Sequence, residues 1–188
     1  MKENELESLN KIRSMAEELS QLQIEHWKTF SHLGEWQFWV VVIMLIAPLI
    51  VLFMKIDRSK MLLLGFFGFN YHVWFQYVNA IGINFGLWEY PYEIVPFLPS
   101  FALDASLVPI SFILLYQWTL NHNKNIYLYS ILLSAFFAFI LKPVMVTFHF
   151  FHMYKFVNYF YLFLFYVLFF VVSLLITKLF LWLQQKER

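Results

Sequence analysis

The chain has 188 residues, of which 61% are hydrophobic, 22% aromatic and only 13% charged, well below the quarter or so of charged residues in a soluble domain. A net charge of +1 leaves no basic footprint for nucleic acid, and the absence of cysteine excludes disulfides, thiolate metal sites and a cysteine nucleophile. The composition predicts an all-α fold: a polytopic membrane bundle of about five transmembrane helices, with the lipid bilayer as its partner and no cofactor.

Residues 1–35 form a separate, charged segment. They lack the basic start, short apolar core and small-residue cleavage site of a signal peptide, so the first spanning helix is expected to act as its own insertion signal. Residues 3–33 predict an amphipathic helix. Glu, Lys, Leu, Gln and Ala dominate there, Pro is absent, and Leu9, Ile12, Ala16 and Leu19 recur at three- and four-residue spacing. Such a helix lies on the membrane or folds back on the bundle; a coiled coil is the alternative, although its two heptads fall short of the roughly three to four that mark one.

Five apolar runs follow in residues 36–188, a single transmembrane domain: Trp36 to Met54, Met61 to Ile81, Ser100 to Leu120, Ile126 to Phe151 and Val157 to Leu183. Each approaches the roughly 20 residues that cross a hydrocarbon core about 30 Å thick. Trp36, Trp39, Trp88, Trp118 and Trp182 fall near run ends, where amphipathic rings prefer the interface. No internal repeat supports an inverted-repeat transporter.

In the second run Gly65, Gly68, His72, Gln76 and Asn79 share one helix face, and that face is expected to look inward. Small residues let a neighbouring helix approach, and polar ones need partners because an unsatisfied group in hydrocarbon costs several kcal/mol. His72, Gln76 and Asn79 therefore serve either as interhelical glue or as a pocket lining.

Between the second and third runs lies Gly82 to Asp104, GINFGLWEYPYEIVPFLPSFALD, which contains no Lys or Arg. Pro91, Pro96 and Pro99 forbid a continuous helix, since each removes a backbone donor and drives its predecessor towards extended geometry. With Trp88, Glu89, Tyr90, Tyr92 and Glu93, this stretch predicts a folded connector at membrane level with a polar pocket.

Asp104 lies inside the third run. An ionised carboxyl there has to meet a partner, reach water or keep its proton; alternatively it caps the helix together with Ser100. In the fourth run Lys142 precedes Pro143, and a Lys facing lipid would cost about 2.5 to 3.5 kcal/mol. It either faces inward, where an ion pair with Asp104, Glu89 or Glu93 is the cheapest arrangement, or becomes interfacial if the run ends near it. His149 and His152, three apart, fit one helix face but fall short of the three protein ligands of a catalytic zinc, so no metal site is expected. Lys178, near the end of the fifth run, is expected to snorkel. No phosphate-cradling Gly loop or GxSxG elbow is present.

Lys and Arg in short loops set orientation. The first loop, third loop and C-terminus hold Lys55, Arg58, Lys60, Lys124, Lys178, Lys186 and Arg188, whereas the opposite side has only Lys28 and Lys155 nearby. The expectation is a multi-pass cell-membrane protein with its N-terminus outside, its C-terminus cytoplasmic and the connector facing outward.

Trp88, Tyr90, Pro91 and Tyr92, followed by Pro96, Asp104, Pro109, Tyr116 and Gln117, resemble the pattern of an uncharacterised family of small multi-spanning membrane proteins from spore-forming Firmicutes. The likeness extends from about Trp27 through the KIDRSK loop to about Tyr159. It implies the multi-spanning topology and no particular activity. Members often carry an acid where this chain has Asn79, a departure that argues against proton handling at that position.

Two functional readings follow. One is a non-enzymatic protein that binds a ligand, lipid or partner, or conducts a solute, at an outward pocket of His72, Gln76, Asn79, Trp88, Glu89, Tyr90, Tyr92, Glu93, Asp104, Gln117 and Lys142; conduction would need a homo-oligomer. The other is an intramembrane enzyme on a lipid or isoprenoid, with Glu89, Glu93 or Asp104 as acid or base. Carboxylates meeting in one cavity would favour the enzyme.

Overall fold

The computed structural model describes residues 3–186, so Arg188 of the charge pattern lies outside the described residues. The chain is helical throughout its spans: α1 is Glu3–Phe30, α2 Trp36–Lys55 and α3 Met61–Asn84. After the connector come α4, Leu103–Asn121, α5, Ile126–Thr147, and α6, Tyr159–Lys186. Two short strands, β1 (Trp88–Glu89) and β2 (His152–Met153), pair antiparallel with Trp88 opposite Met153 and Glu89 opposite His152.

Four helices, α2, α4, α5 and α6, are long and apolar enough to cross a membrane, which fits a membrane protein. The remaining expected span, α3, is 24 residues long, or about 36 Å at the helical rise. Asn70, His72, Gln76 and Asn79 make it less apolar than its neighbours, and it packs against α4 and α6.

Aromatic rings fill the space between these helices. Tyr71 stacks on Phe112 with centroids 4.4 Å apart, and Phe67, Phe75, Tyr166, Phe169 and Phe170 complete a buried cluster. Gly68 lies directly under the Ile113 side chain and Gly82 directly under the Trp88 indole. By contrast Gly65 faces open space, with no heavy atom within 4 Å of a would-be Cβ. The inward face expected of α3 is therefore divided: Gly68 and Asn79 are buried, whereas Gly65 is exposed and His72 and Gln76 are half-buried.

Both prolines inside the later helices change the winding. Residues Leu103–Leu107 and Phe137–Leu141 form π-helical turns, each two residues before a proline, Pro109 or Pro143. A proline cannot donate to the carbonyl four residues back, and its ring crowds that carbonyl; a single wider turn relieves the clash. Asp104 sits in the first of these turns, and Lys142 follows the second directly.

Two expectations need correction, and two open alternatives are decided. The fourth run stops at Thr147 rather than Phe151, because His149 takes a left-handed backbone (φ 62°) and turns the chain into β2. His149 and His152 thus do not share a helix face, although their rings lie 5.5 Å apart. Lys142 is not interfacial: it is 2% exposed within the bundle. Finally, α1 does not fold back along the bundle, since Leu6, Leu9, Ile12, Met15, Leu19 and Leu22 are all exposed, and only its last turn engages the connector.

At the opposite end from the connector, Gln117 closes the first loop. Its Oε1 accepts from the backbone N–H of Asp57 at 2.7 Å and its Nε2 donates to the Lys55 carbonyl at 2.8 Å. Asp57 caps the following 3₁₀ turn, and hydrogen bonds from Lys60 and Ser59 hold its carboxyl down at about 2.

Candidate functional site

The connector, 85–100, hangs over the end of the bundle and is fixed from both sides. From α1, Trp27 Nε1 donates to the Glu93 carbonyl at 3.1 Å, and the Ser31 hydroxyl both donates to that carbonyl and accepts from the Glu93 N–H, each at 2.8 Å. His26 Nε2 donates to the Pro91 carbonyl at 3.1 Å. From the other side, β2 pairs with β1, the Tyr154 hydroxyl donates to Glu89 Oε1 and Lys155 Nζ donates to the Phe85 carbonyl. Glu89 is thereby committed to an exposed pair that raises the Tyr154 hydroxyl above its usual range.

Beneath this cover a buried polar network runs across three helices. Asn79, from α3, is its hub: Nδ2 donates to Asp104 Oδ2 at 2.8 Å and to Ser100 Oγ, while Oδ1 accepts from Trp88 Nε1 at 2.6 Å and the Tyr90 hydroxyl at 3.3 Å. Ser100 Oγ donates to Asp104 Oδ2 at 2.6 Å, and Lys142 Nζ donates to the Tyr90 hydroxyl at 3.0 Å. His72 Nδ1 donates to the Asp104 backbone carbonyl at 2.7 Å. The amide orientation of Asn79 follows from chemistry. The indole N–H can only donate and a carboxylate can only accept, so Oδ1 must face Trp88 and Nδ2 must face Asp104.

Every donor in the chain therefore points from the Lys142 ammonium, through Tyr90 and Asn79, towards the Asp104 carboxyl. The ion pair expected of Lys142 does not form among the described residues. The ammonium lies instead 3.5 Å above the Phe151 ring and 4.6 Å from the Tyr90 ring centroid, an arrangement in which the π faces take the place of water. Asp104 is fully buried, and its Oδ1 has no hydrogen-bond partner among the described residues, leaving capacity for one more donor.

The expected alternative in which Ser100 and Asp104 open the helix coexists with this network. The Ser100 carbonyl accepts from the N–H of Leu103 at 2.8 Å and of Asp104 at 3.0 Å. Ser100 itself takes a left-handed backbone, φ 62°, which turns its hydroxyl back over the first turn.

The structure thus brings together Asn79, Trp88, Tyr90, Asp104 and Lys142, with His72 touching from outside. Tyr92 sits one layer out, accepting from Gln37 Nε2 at 3.4 Å and packing on Phe150. The Glu93 carboxyl is half-buried in the connector, and burial pushes it up to about 7 against the lowering effect of the Phe97 N–H. Gln76 is half-buried and makes no hydrogen bond to the network, and Gln117 stands 13 residues beyond Asp104 on α4, roughly 20 Å away along the axis. Glu89, Glu93 and Asp104 do not converge on one cavity. Among the described residues no group of three His, Cys, Asp or Glu could hold a metal. Sequence reasoning missed Tyr166 and Phe151, which line the Lys142 end; in a run so rich in aromatics nothing marks them out.

Two small cavities flank the network, each of about 20 Å³, room for about one water. The first is bounded by Asn79, Trp88, Tyr90, Lys142 and Tyr166, the second by Tyr90, Tyr92, Ser100 and Met145. A third space is much larger, about 260 Å³. It is a groove between Trp36, Val40 and Met44 of α2 and Leu141, Val144 and Met145 of α5, closed at one end by Phe148 and Phe150. It shares Met44, Met145 and Phe150 with the second cavity, which in turn shares Tyr90 with the first. No family model, curated protein or solved structure matches this chain.

Proposed function

We propose that this is a multi-pass cell-membrane protein that binds a lipid, its hydrocarbon chain in the α2–α5 groove and its polar end under the connector. The observation that carries this reading is the groove itself. It has about 260 Å³ of space and an apolar lining, and it lies beside α2, the least covered of the four apolar helices, with 11% of its apolar window buried. A cleft of that kind in a bilayer is filled by an acyl or isoprenoid chain, since hydrocarbon is the solvent at that depth. Its inner wall of Met44, Met145 and Phe150 is also the wall of the cavity beneath Tyr92 and Ser100, so apolar and polar subsites adjoin. Purified in mild detergent, the wild type should retain lipid in native mass spectrometry. Val144→Trp, which fills the groove, should lose that lipid while keeping its thermal stability; equal retention by both would overturn the reading.

The orientation that goes with this function has the connector outside. Its support is the clustering of cations at the other end, where Lys60 Nζ donates to Asn121 at 2.6 Å and Lys178 Nζ to the Tyr127 hydroxyl at 2.8 Å, in keeping with a cytoplasmic excess of Lys and Arg. A reporter active only in the cytoplasm should be active when fused after Arg188, and a silent one would reverse the topology.

A further inference from the structure

We propose that the protein pairs with a second copy of itself through the outward side of α3, the two Gln76 carboxamides bonding each other across a twofold axis. The inference uses only the membrane setting of the bundle and is independent of the groove between α2 and α5.

One side of α3 is committed inward through Leu64, Phe67, Tyr71 and Phe75. A flanking stripe carries Leu62, Gly65 and Phe69, all exposed, and His72 and Gln76, both half-buried, spaced three, four, three and four residues apart, the repeat of a helix-pairing seam. Leu62 is 90% exposed and Phe69 65% exposed, and the space over Gly65 is open. No charged side chain interrupts this stripe.

Gln76 makes the stripe more than a greasy surface. It lies eight residues before the end of α3 at Asn84, roughly 12 Å along the axis, and three residues before Asn79 of the buried network. At that depth an unpaired amide costs several kcal/mol. Several polar side chains of the bundle bond within their own helix: Asn70 donates to the Phe66 carbonyl at 2.9 Å, Ser111 to the Leu107 carbonyl at 2.7 Å and Thr177 to the Ser173 carbonyl at 2.7 Å. Gln76 has no such partner among the described residues.

A carboxamide carries donor and acceptor in one plane, so two of them facing each other satisfy both with paired N–H···O bonds. That self-complementarity is what a twofold interface requires, because each copy presents the same surface. The shared topology keeps both α3 helices pointing the same way, and Gly65 allows their backbones to approach further along the seam. His72 adds a second polar contact, since Nδ1 is occupied by the Asp104 carbonyl and Nε2 is left for the interface.

The chain has no cysteine, so a single introduced thiol reports unambiguously. Phe69→Cys in the full-length protein in nanodiscs or native membranes should give a disulfide-linked dimer under mild oxidation, whereas Ile43→Cys, exposed on α2, should stay monomeric. Adding Gln76→Met to Phe69→Cys should lower the dimer yield at least fivefold without lowering the unfolding temperature, because Gln76 bonds nothing within its own copy; Gln76→Leu should do the same. The proposal is overturned if Phe69→Cys is maleimide-reactive yet never cross-links, if Ile43→Cys cross-links equally well, or if both Gln76 variants leave the yield unchanged.

Discussion

Asn79 Nδ2 donates to Asp104 Oδ2 at 2.8 Å while Oδ1 of the same amide accepts from Trp88 Nε1 at 2.6 Å. An amide does both at once, whereas an ionised carboxylate can only accept, which gives the position a reason to be Asn rather than a charged Asp. Asn79→Asp would put an oxygen against the Asp104 carboxyl and remove its donor, and two carboxylates sharing one site repel. We expect Asn79→Asp to destabilise the protein by more than Asn79→Leu, which loses the bonds but adds no charge. A lower unfolding temperature for the Leu variant than for the Asp variant would contradict this.

The donor chain from Lys142 to Asp104 joins two buried groups of opposite charge through Tyr90 and Asn79. Removing one charge of such a pair strands the other, at a cost of up to about 3–5 kcal/mol, whereas removing both is often close to neutral. Asp104→Asn and Lys142→Met should each be destabilising, and the double variant should be more stable than the sum of the two losses implies. A double-mutant cycle on thermal unfolding measures this coupling, and strict additivity would mean that the two groups do not sense each other.

Glycine positions on α3 separate contact from open space. Gly82→Ala would drive a methyl into the Trp88 indole and Gly68→Ala into Ile113, and overpacking of this kind costs about 1–3 kcal/mol. Gly65→Ala has nothing to meet within its own copy and gains helix propensity, so the fold of the single chain should tolerate it or improve slightly. Equal losses at all three positions in an unfolding assay would refute the assigned packing.

These comparisons also show which parts of the fold were legible in the sequence. Apolar runs located the spans, because length and hydropathy alone decide what can cross hydrocarbon. The cost of a buried Asp104 required a partner; of the candidates Asn79, Gln76, Tyr90, Tyr92 and Lys142, Asn79 donates to its carboxyl, joined by Ser100, which the sequence suggested only as a helix cap. What the pattern could not reveal depended on three-dimensional detail. Lys142 is accommodated by Tyr90 and Phe151 rings rather than by a carboxylate, and nothing in an aromatic-rich run distinguishes one Phe from the next. The π turns before Pro109 and Pro143 are one of several ways to relieve a proline clash. Gln117 shares a helix with Asp104 but lies at its far end, a separation that residue spacing alone would have revealed.

Glu93 supplies a pH dependence at the joint between α1 and the connector. Burial raises its carboxyl from the ordinary 4.5 to about 7, so the folded state prefers the neutral form. The stability this contributes is fully present below about 4.5 and is lost as pH rises through about 7. The wild type should therefore gain stability relative to Glu93→Gln as pH is lowered from 8 to 5, read as the difference between their unfolding temperatures. A difference that stays constant over that range would show that the Glu93 carboxyl does not titrate as its burial implies.

Lipid occupancy of the groove bounded by Val40, Met44 and Val144 is tested most directly by a crystal structure grown from a lipid phase containing bromine-labelled acyl chains. The account predicts anomalous bromine signal inside the groove, alongside Met44 and Met145 and below Tyr92. Bromine confined to the outer belt of the bundle, with the groove closed by its own side chains, would contradict it.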